Sequence, residues 1–136
     1  MILIDTGPIV AMIDKKDDLH ERAKSALKRL GLSTFLTTDA CVTESTFHLW
    51  DADGWRGISQ LRSLIETRVI SIDSPATSKA VLAFAYMKRF RDIPCDYADA
   101  TLLVAAEETG ARQIFTFDRH FFAYRLLNGD HLNVIS

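Results

Sequence analysis

Cysteine is scarce: Cys41 and Cys95 are the only two, too few for a disulfide framework or a four-thiolate zinc site, and they form no Cys-x-x-Cys pair. Both are expected to be buried, reduced thiols, as in a cytosolic protein. No apolar run approaches the ~20 residues that a membrane-spanning helix needs, and Asp5 interrupts Ile2-Leu3-Ile4 before a leader-like stretch can form. The chain is therefore expected to be cytoplasmic, with no membrane association. A basic surplus is lacking too. The net charge of -2 makes no general case for a polyanionic partner, so any nucleic acid must be met by local groups. No glycine-rich fingerprint follows a strand, which argues against a P-loop or dinucleotide fold. No Gly-x-Ser-x-Gly elbow presents a nucleophilic serine. Repeats, low-complexity tracts and linkers are absent, so residues 1–136 read as one domain.

What is present is an ordinary globular composition, 48% apolar and 25% charged, enough for one hydrophobic core. Short runs rich in branched and aromatic residues predict strands at Ile2 to Asp5, Phe35 to Thr38, Val69 to Asp73, Ile114 to Phe117 and Leu132 to Ile135. The first of these is expected to stop in a turn at Thr6-Gly7-Pro8. Between the strands, Leu19, Ala23, Ala26, Leu27 and Leu30 repeat at helical spacing up to Gly31. Similar patterns follow Asp39 and Trp55, run from Ala76 to Phe90, and run from Asp96 to Gly110. Alternation of this kind predicts an α/β fold: a central, mostly parallel five-stranded sheet between two helical layers.

In such a sheet the ligand site lies beyond the carboxyl ends of the strands. Asp5 ends the first strand and Asp118 ends the fourth. Asp96 and Asp99 open the helix leading into that fourth strand, so their side chains are expected at the same edge. Asp96 has the position of an N-cap and Asp99 that of its capping-box partner. Glu44 lies inside the helix after Asp39, and helical pattern alone leaves it equally open to solvent. Asp5 and Asp118 are also common turn formers after strands. Convergence would change their meaning, because two carboxylates about 5 Å apart repel by roughly 3 kcal/mol at an effective dielectric near 20. A domain with a total stability of about 5 to 15 kcal/mol cannot hold four such charges together without protons or cations. An all-oxygen site of this kind selects Mg²⁺ or Mn²⁺ over zinc.

These residues resemble those of a known family, the PIN domains, and more closely the VapC-type toxin ribonucleases of toxin-antitoxin pairs. The resemblance begins at Ile2-Leu3-Ile4-Asp5-Thr6, continues at Glu44 and at Asp96-Tyr97-Ala98-Asp99-Ala100, and closes at Thr116-Phe117-Asp118-Arg119-His120-Phe121. It covers essentially the whole chain, in matching order. It implies a PIN-like three-layer α/β/α domain and a Mg²⁺- or Mn²⁺-dependent endoribonuclease of single-stranded RNA. By the same resemblance, Asp5, Glu44, Asp99 and Asp118 form the catalytic, metal-binding site with Asp96 in support, and Thr6 and Thr116 orient the acids. It also implies a homodimer and a small antitoxin partner, with a solitary PIN nuclease or a non-catalytic metal-binding interaction module as alternatives.

RNA must still be drawn to an acidic pocket. Arg119 and His120 beside Asp118, with Lys88, Arg89 and Arg91 before Asp96, are the candidate phosphate contacts. Trp50, Trp55 and Tyr97 are candidate base-stacking groups, and Phe47, Trp50, Phe121, Phe122 and Tyr124 are candidate partner contacts. His20, His48 and His131 show no ligand spacing. A phosphatase with Asp5 as nucleophile is a weaker reading, since Gly7 stands where a second aspartate is needed.

Overall fold

The computed structural model describes residues 1–136. Five short strands, β1 (Ile2–Ile4), β2 (Phe35–Thr38), β3 (Ile70–Asp73), β4 (Gln113–Phe115) and β5 (Asn133–Ile135), form one sheet in the order β3-β2-β1-β4-β5. Every pairing is parallel, with Ile2 opposite Phe35, Leu3 opposite Ile114, and Phe115 opposite Ile135. Parallel neighbours require crossovers, and six helices supply them: α1 (Thr6–Ile13), α2 (His20–Leu30), α3 (Asp39–Asp53), α4 (Trp55–Glu66), α5 (Thr77–Arg89) and α6 (Tyr97–Thr109). The expected three-layer α/β/α architecture is the one observed. No helix is long and apolar enough to cross a membrane.

Alternation along the strands divides the core into two. Ile2, Ile4, Phe35 and Phe115 face one layer, where they meet Ile9, Ala23, Ala26 and Leu61. Leu3, Leu36 and Ile114 face the other, where they meet Ala83, Tyr86 and the run Leu102 to Ala106. Both faces are apolar, so the strands read as continuous hydrophobic runs rather than half-polar ones. Helix α6 is buried from Ala98 to Ala106 apart from the half-buried Thr101, which explains why its sequence lacks a polar stripe. A buried helix whose first turn carries carboxylates brings those charges to the sheet edge.

Two segments depart from expectation. Thr6-Gly7-Pro8 begins a helix rather than a turn: Asp5 is extended (φ -88°, ψ 166°) and caps α1 by accepting from the Thr6 N–H. Pro8 lies in the first turn, where an N–H has no intrahelical partner to lose. Strand β4 ends at Phe115, so Asp118 sits beyond it as the N-cap of a short 3-10 helix, Arg119–Phe122. Elsewhere the expected elements hold to within a few residues, and Gly31 and Gly110 stop α2 and α6 with positive φ of 66° and 81°.

Candidate active site

Strand order reverses beside β1: β2 and β3 lie on one side and β4 and β5 on the other. The crevice between the carboxyl ends of β1 and β4 is the topological switch point where open α/β sheets bind ligands. Asp5 and Thr116 stand there, immediately after β1 and β4. Asp5 is only 8% exposed, a costly place for a carboxylate, and its oxygens are individually held. Oδ1 accepts from the Thr6 N–H at 2.8 Å, and Oδ2 accepts from the Thr116 hydroxyl at 2.8 Å. The fully buried Thr116 oxygen also accepts from the Asp118 N–H at 3.0 Å, tying the post-strand loop to the same carboxylate. Burial pushes the Asp5 carboxyl up to about 6, opposed by those two hydrogen bonds and assisted by the charges of Asp118 and Glu44.

Asp99 is the second buried acid, 9% exposed. It closes a capping box with Asp96: Asp96 Oδ1 accepts from the Asp99 N–H at 2.8 Å, and Asp99 Oδ2 accepts from the Asp96 N–H at 3.3 Å. The capping role read from the sequence is therefore real. Burial raises the Asp99 carboxyl above that of Asp5, with further pushes from Asp96, Asp5 and Asp118. These mutual effects place Asp5, Asp99 and Asp118 in one electrostatic neighbourhood.

Glu44 occupies the second turn of α3. Its Oε1 accepts from the Thr6 hydroxyl at 3.0 Å, so it turns inward to the site rather than out to solvent. Asp118 is half-buried, and its Oδ1 accepts from the His120 N–H and lies 2.9 Å from His120 Nδ1. That leaves Oδ2 uncommitted. No three of these groups close on one point tightly enough to form a ready-made cage. The donor set is nevertheless one of hard carboxylate oxygens, two of them buried and held by dedicated donors, and it fits Mg²⁺ or Mn²⁺.

The model of the PIN-domain family matches residues 2–126. The chain belongs to the PIN-domain family. Its fold is similar to that of Mycobacterium tuberculosis VapC20, described as a sarcin-ricin loop cleaving toxin, with a TM-score of 0.80 at 20% identity over 90% of this chain and 94% of that one. It is also similar to FitAcB from Neisseria gonorrhoeae, with a TM-score of 0.62 at 20% identity over 100% and 97% of the two chains. FitAB bound to an IR36 DNA fragment matches with a TM-score of 0.65 at 21% identity over 99% and 94%. Among curated proteins, no sequence matches. At these identities the likeness carries the fold alone.

The other predicted residues of this PIN domain are less concentrated. Arg119, His120, Lys88, Arg89 and Arg91 are all exposed. The Arg91 guanidinium donates to the Lys88 carbonyl at 2.8 Å, Arg89 lies 5.5 Å from the Phe90 ring centroid, and His120 faces Asp118. Phe47, Trp50, Trp55 and Phe122 are exposed as surface candidates, but Phe121 and Tyr124 are not. Both pack in the core, edge to face with centroids 5.1 Å apart. The short 3-10 segment has no periodicity from which that burial could be read.

Tyr124, expected as a partner contact, and Cys41, expected as a buried thiol, both turn out to be neighbours of the acids. The Tyr124 hydroxyl donates to the Pro94 carbonyl and lies 3.4 Å from Asp99 Oδ2, bracing the turn ahead of α6. The Cys41 thiol sits 4.0 Å from Asp5 Oδ1, and burial with the nearby Asp5 charge holds it protonated, pushed up to about 12. No local pattern marks either, since each contact joins segments far apart in the chain.

Thr116→Val keeps the volume but leaves a buried carboxylate oxygen and the Asp118 N–H without a partner. It is expected to cost about 1 to 3 kcal/mol in chemical denaturation and to lower metal affinity about 10- to 100-fold. Thr116→Ser, which keeps the hydroxyl, should restore most of both.

Proposed function

We propose that this PIN domain, acting as one unit over residues 1–136, is a Mg²⁺- or Mn²⁺-dependent endoribonuclease of single-stranded RNA and the toxin component of a toxin-antitoxin pair. The observation that carries the reading is the pair of buried aspartates, Asp5 and Asp99, held at the β1/β4 switch point although burial raises both. A fold keeps two such groups in a costly place when a bound cation offsets the cost.

Asp5 and Asp99 would hold the ion directly, with Glu44 and Asp118 completing the shell or acting through water and Asp96 tuning the local charge. When bound, Mg²⁺ or Mn²⁺ supplies a more acidic attacking water and counter-charge for the leaving oxygen. The protein's own part is positional. The Thr116 hydroxyl and Thr6 N–H fix the two oxygens of Asp5, the Thr6 hydroxyl aims Glu44, and the capping box fixes Asp99. Arg119 and His120 follow Asp118 in the same short segment and would meet a phosphate of the incoming strand, with Lys88, Arg89 and Arg91 as further backbone contacts.

The exposed Phe47 (71%) and Trp50 (60%) on α3, with Trp55 (59%) on α4, support pairing with a second copy and with a small antitoxin. Two free, buried cysteines fit a reducing cytoplasm. The alternatives, a solitary PIN nuclease and a non-catalytic metal-binding module, differ in partner and in turnover rather than in the placement of the acids.

The test is cleavage of unstructured oligoribonucleotides by the purified protein. Turnover is expected in Mg²⁺ or Mn²⁺ and is expected to vanish in EDTA. Absence of turnover with either ion would sink the nuclease reading, and turnover that survives EDTA would sink its metal dependence.

A further inference from the structure

A groove of about 530 Å³ opens beside the acids, sharing Glu44 and Asp96 with them. It runs between the start of α3 and the β3–α5 junction, and its volume is that of a small-molecule site. The inference drawn from it rests on the nuclease reading for its substrate but not for its geometry.

The lining rejects phosphate. Four carboxylates, Asp39, Glu44, Asp73 and Asp96, face a single ammonium, Lys79. That ammonium is already engaged by Asp73 Oδ2 at 3.0 Å, the Ser74 carbonyl at 2.8 Å and Glu108 at 3.6 Å. A nucleic-acid backbone has no counter-charge here, so the part of a strand that could enter is a base.

One wall suits a base. Tyr97, 38% exposed, lines the groove, and its ring rests on Phe84 with centroids 5.5 Å apart. That contact braces an exposed aromatic ring at the groove's edge, in the helical turn that carries Asp99, and an exposed ring there can stack on a base. Ala40, Ala98 and Val104 supply apolar lining.

Hydrogen-bonding capacity then selects among the bases. The hydroxyl protons of the lining threonines are engaged within the protein: Thr43 donates to the Asp39 carbonyl, and Thr101 donates to the Ala98 carbonyl. With its proton so used, Thr101 accepts from Thr38 at 2.7 Å. Glu44, Asp73 and Asp96 each have an oxygen already accepting from Thr6, Lys79 and the Asp99 N–H respectively. Asp39 differs: its carboxylate has no hydrogen-bond or ion-pair partner, and it stands exposed in the first turn of α3. A free carboxylate offers two parallel acceptors, and the base edge with two adjacent donors is guanine, through its ring N–H and exocyclic amine.

We propose that the groove between α3 and the β3–α5 junction is a guanine-binding subsite for a nucleotide flanking the cleaved bond, with Tyr97 as stacking face and Asp39 as the reading carboxylate. Phosphate-backbone contacts position a strand, and this subsite makes the position depend on sequence.

The experiment uses unstructured oligoribonucleotides that differ at single positions, carrying guanine, inosine (which lacks the exocyclic amine), adenine or uracil. At one position near the cut, guanine is expected to exceed inosine in kcat/KM by about tenfold. In Asp39→Asn that ratio is expected to collapse toward one. A wild-type ratio near one at every position, or a ratio unchanged in Asp39→Asn, would overturn the proposal. Anisotropy with the same oligonucleotides in EDTA, where no cleavage is expected, separates the two readings. Guanine-selective binding without turnover by any variant would keep the subsite and sink the nuclease. Turnover without selectivity would do the reverse. Displacement of the probe by an arginine-containing peptide, with no preference among bases, would reassign the groove to a protein guanidinium and likewise overturn the proposal.

Discussion

Replacing Asp5 by asparagine is expected to lower RNA cleavage by about 10² to 10³-fold or more while leaving the metal-free protein at least as stable as the parent at pH 8. The two effects have one cause. Asp5 is buried and its carboxyl is raised to about 6, so at pH 8 the metal-free fold holds a buried negative charge that lowers its stability. Asparagine is nearly the same shape and neutral. Its side-chain oxygen still accepts from the Thr6 N–H, as Oδ1 does now at 2.8 Å, and its amide donates to the Thr116 oxygen; the Thr116 hydroxyl proton loses its acceptor, a smaller cost than the buried charge that is removed. The metal loses its anionic ligand. Single-turnover cleavage and chemical denaturation of the same two preparations check both halves. A purely structural aspartate would show the opposite pattern, with stability and activity falling together.

The second large effect is a pH dependence of metal-free stability. Asp5 has a folded value of about 6 against 3.8 for the free group. The folded state therefore binds the proton more tightly than the unfolded state does. Its contribution to stability is fully present below about 3.8 and is lost as pH rises to about 6. The difference corresponds to about 3 kcal/mol. Asp99, raised for the same reason and by three neighbouring carboxylates, extends the loss to higher pH. The metal-free protein is thus expected to lose stability relative to Asp5→Asn between about pH 4 and pH 6, measured as the difference between their denaturation free energies. Saturating Mg²⁺ or Mn²⁺ should add about 2.7 kcal/mol at a hundred times the dissociation constant, and much less at pH 5, where protons compete for the same oxygens. A wild-type and Asp5→Asn difference that does not change with pH would contradict the burial account.

How much of this was legible beforehand depends on the kind of signal each residue leaves. Asp5 terminates a run of apolar residues, and the end of a buried strand in a parallel sheet is also the edge where ligands bind, so period and position together placed it. Asp96 and Asp99 carry their own local marker, because a capping box is a pattern of residues three apart. Helix α1 was hidden by Gly7-Pro8, a pair that reads as a break although a proline in the first helical turn costs nothing. The apolar run before Asp118 predicts that it closes β4. It lies three residues beyond that strand and reaches the site because its N–H is anchored on Thr116.

Glu44 shows a different limit. Helical spacing tells which residues share a face, but the rotation of α3 about its axis is set by packing on α1 and α6, which lie far away in sequence. The Thr6 hydroxyl that donates to Glu44 is such a distant group. The same reasoning applies to Tyr124 and to the groove containing Asp39 and Tyr97. Each is assembled by crossovers, and its parts carry no mark when read one at a time.

The acids at the β1/β4 edge are expected to hold a divalent ion, and direct Mn²⁺ binding at pH 8 tests this with no need for a substrate. Titration followed by the loss of the free-ion electron paramagnetic signal is expected to show saturable binding to the wild type, weakened at least about tenfold in Asp5→Asn and in Asp99→Asn. Binding of equal strength in all three proteins, or none in the wild type, would contradict it.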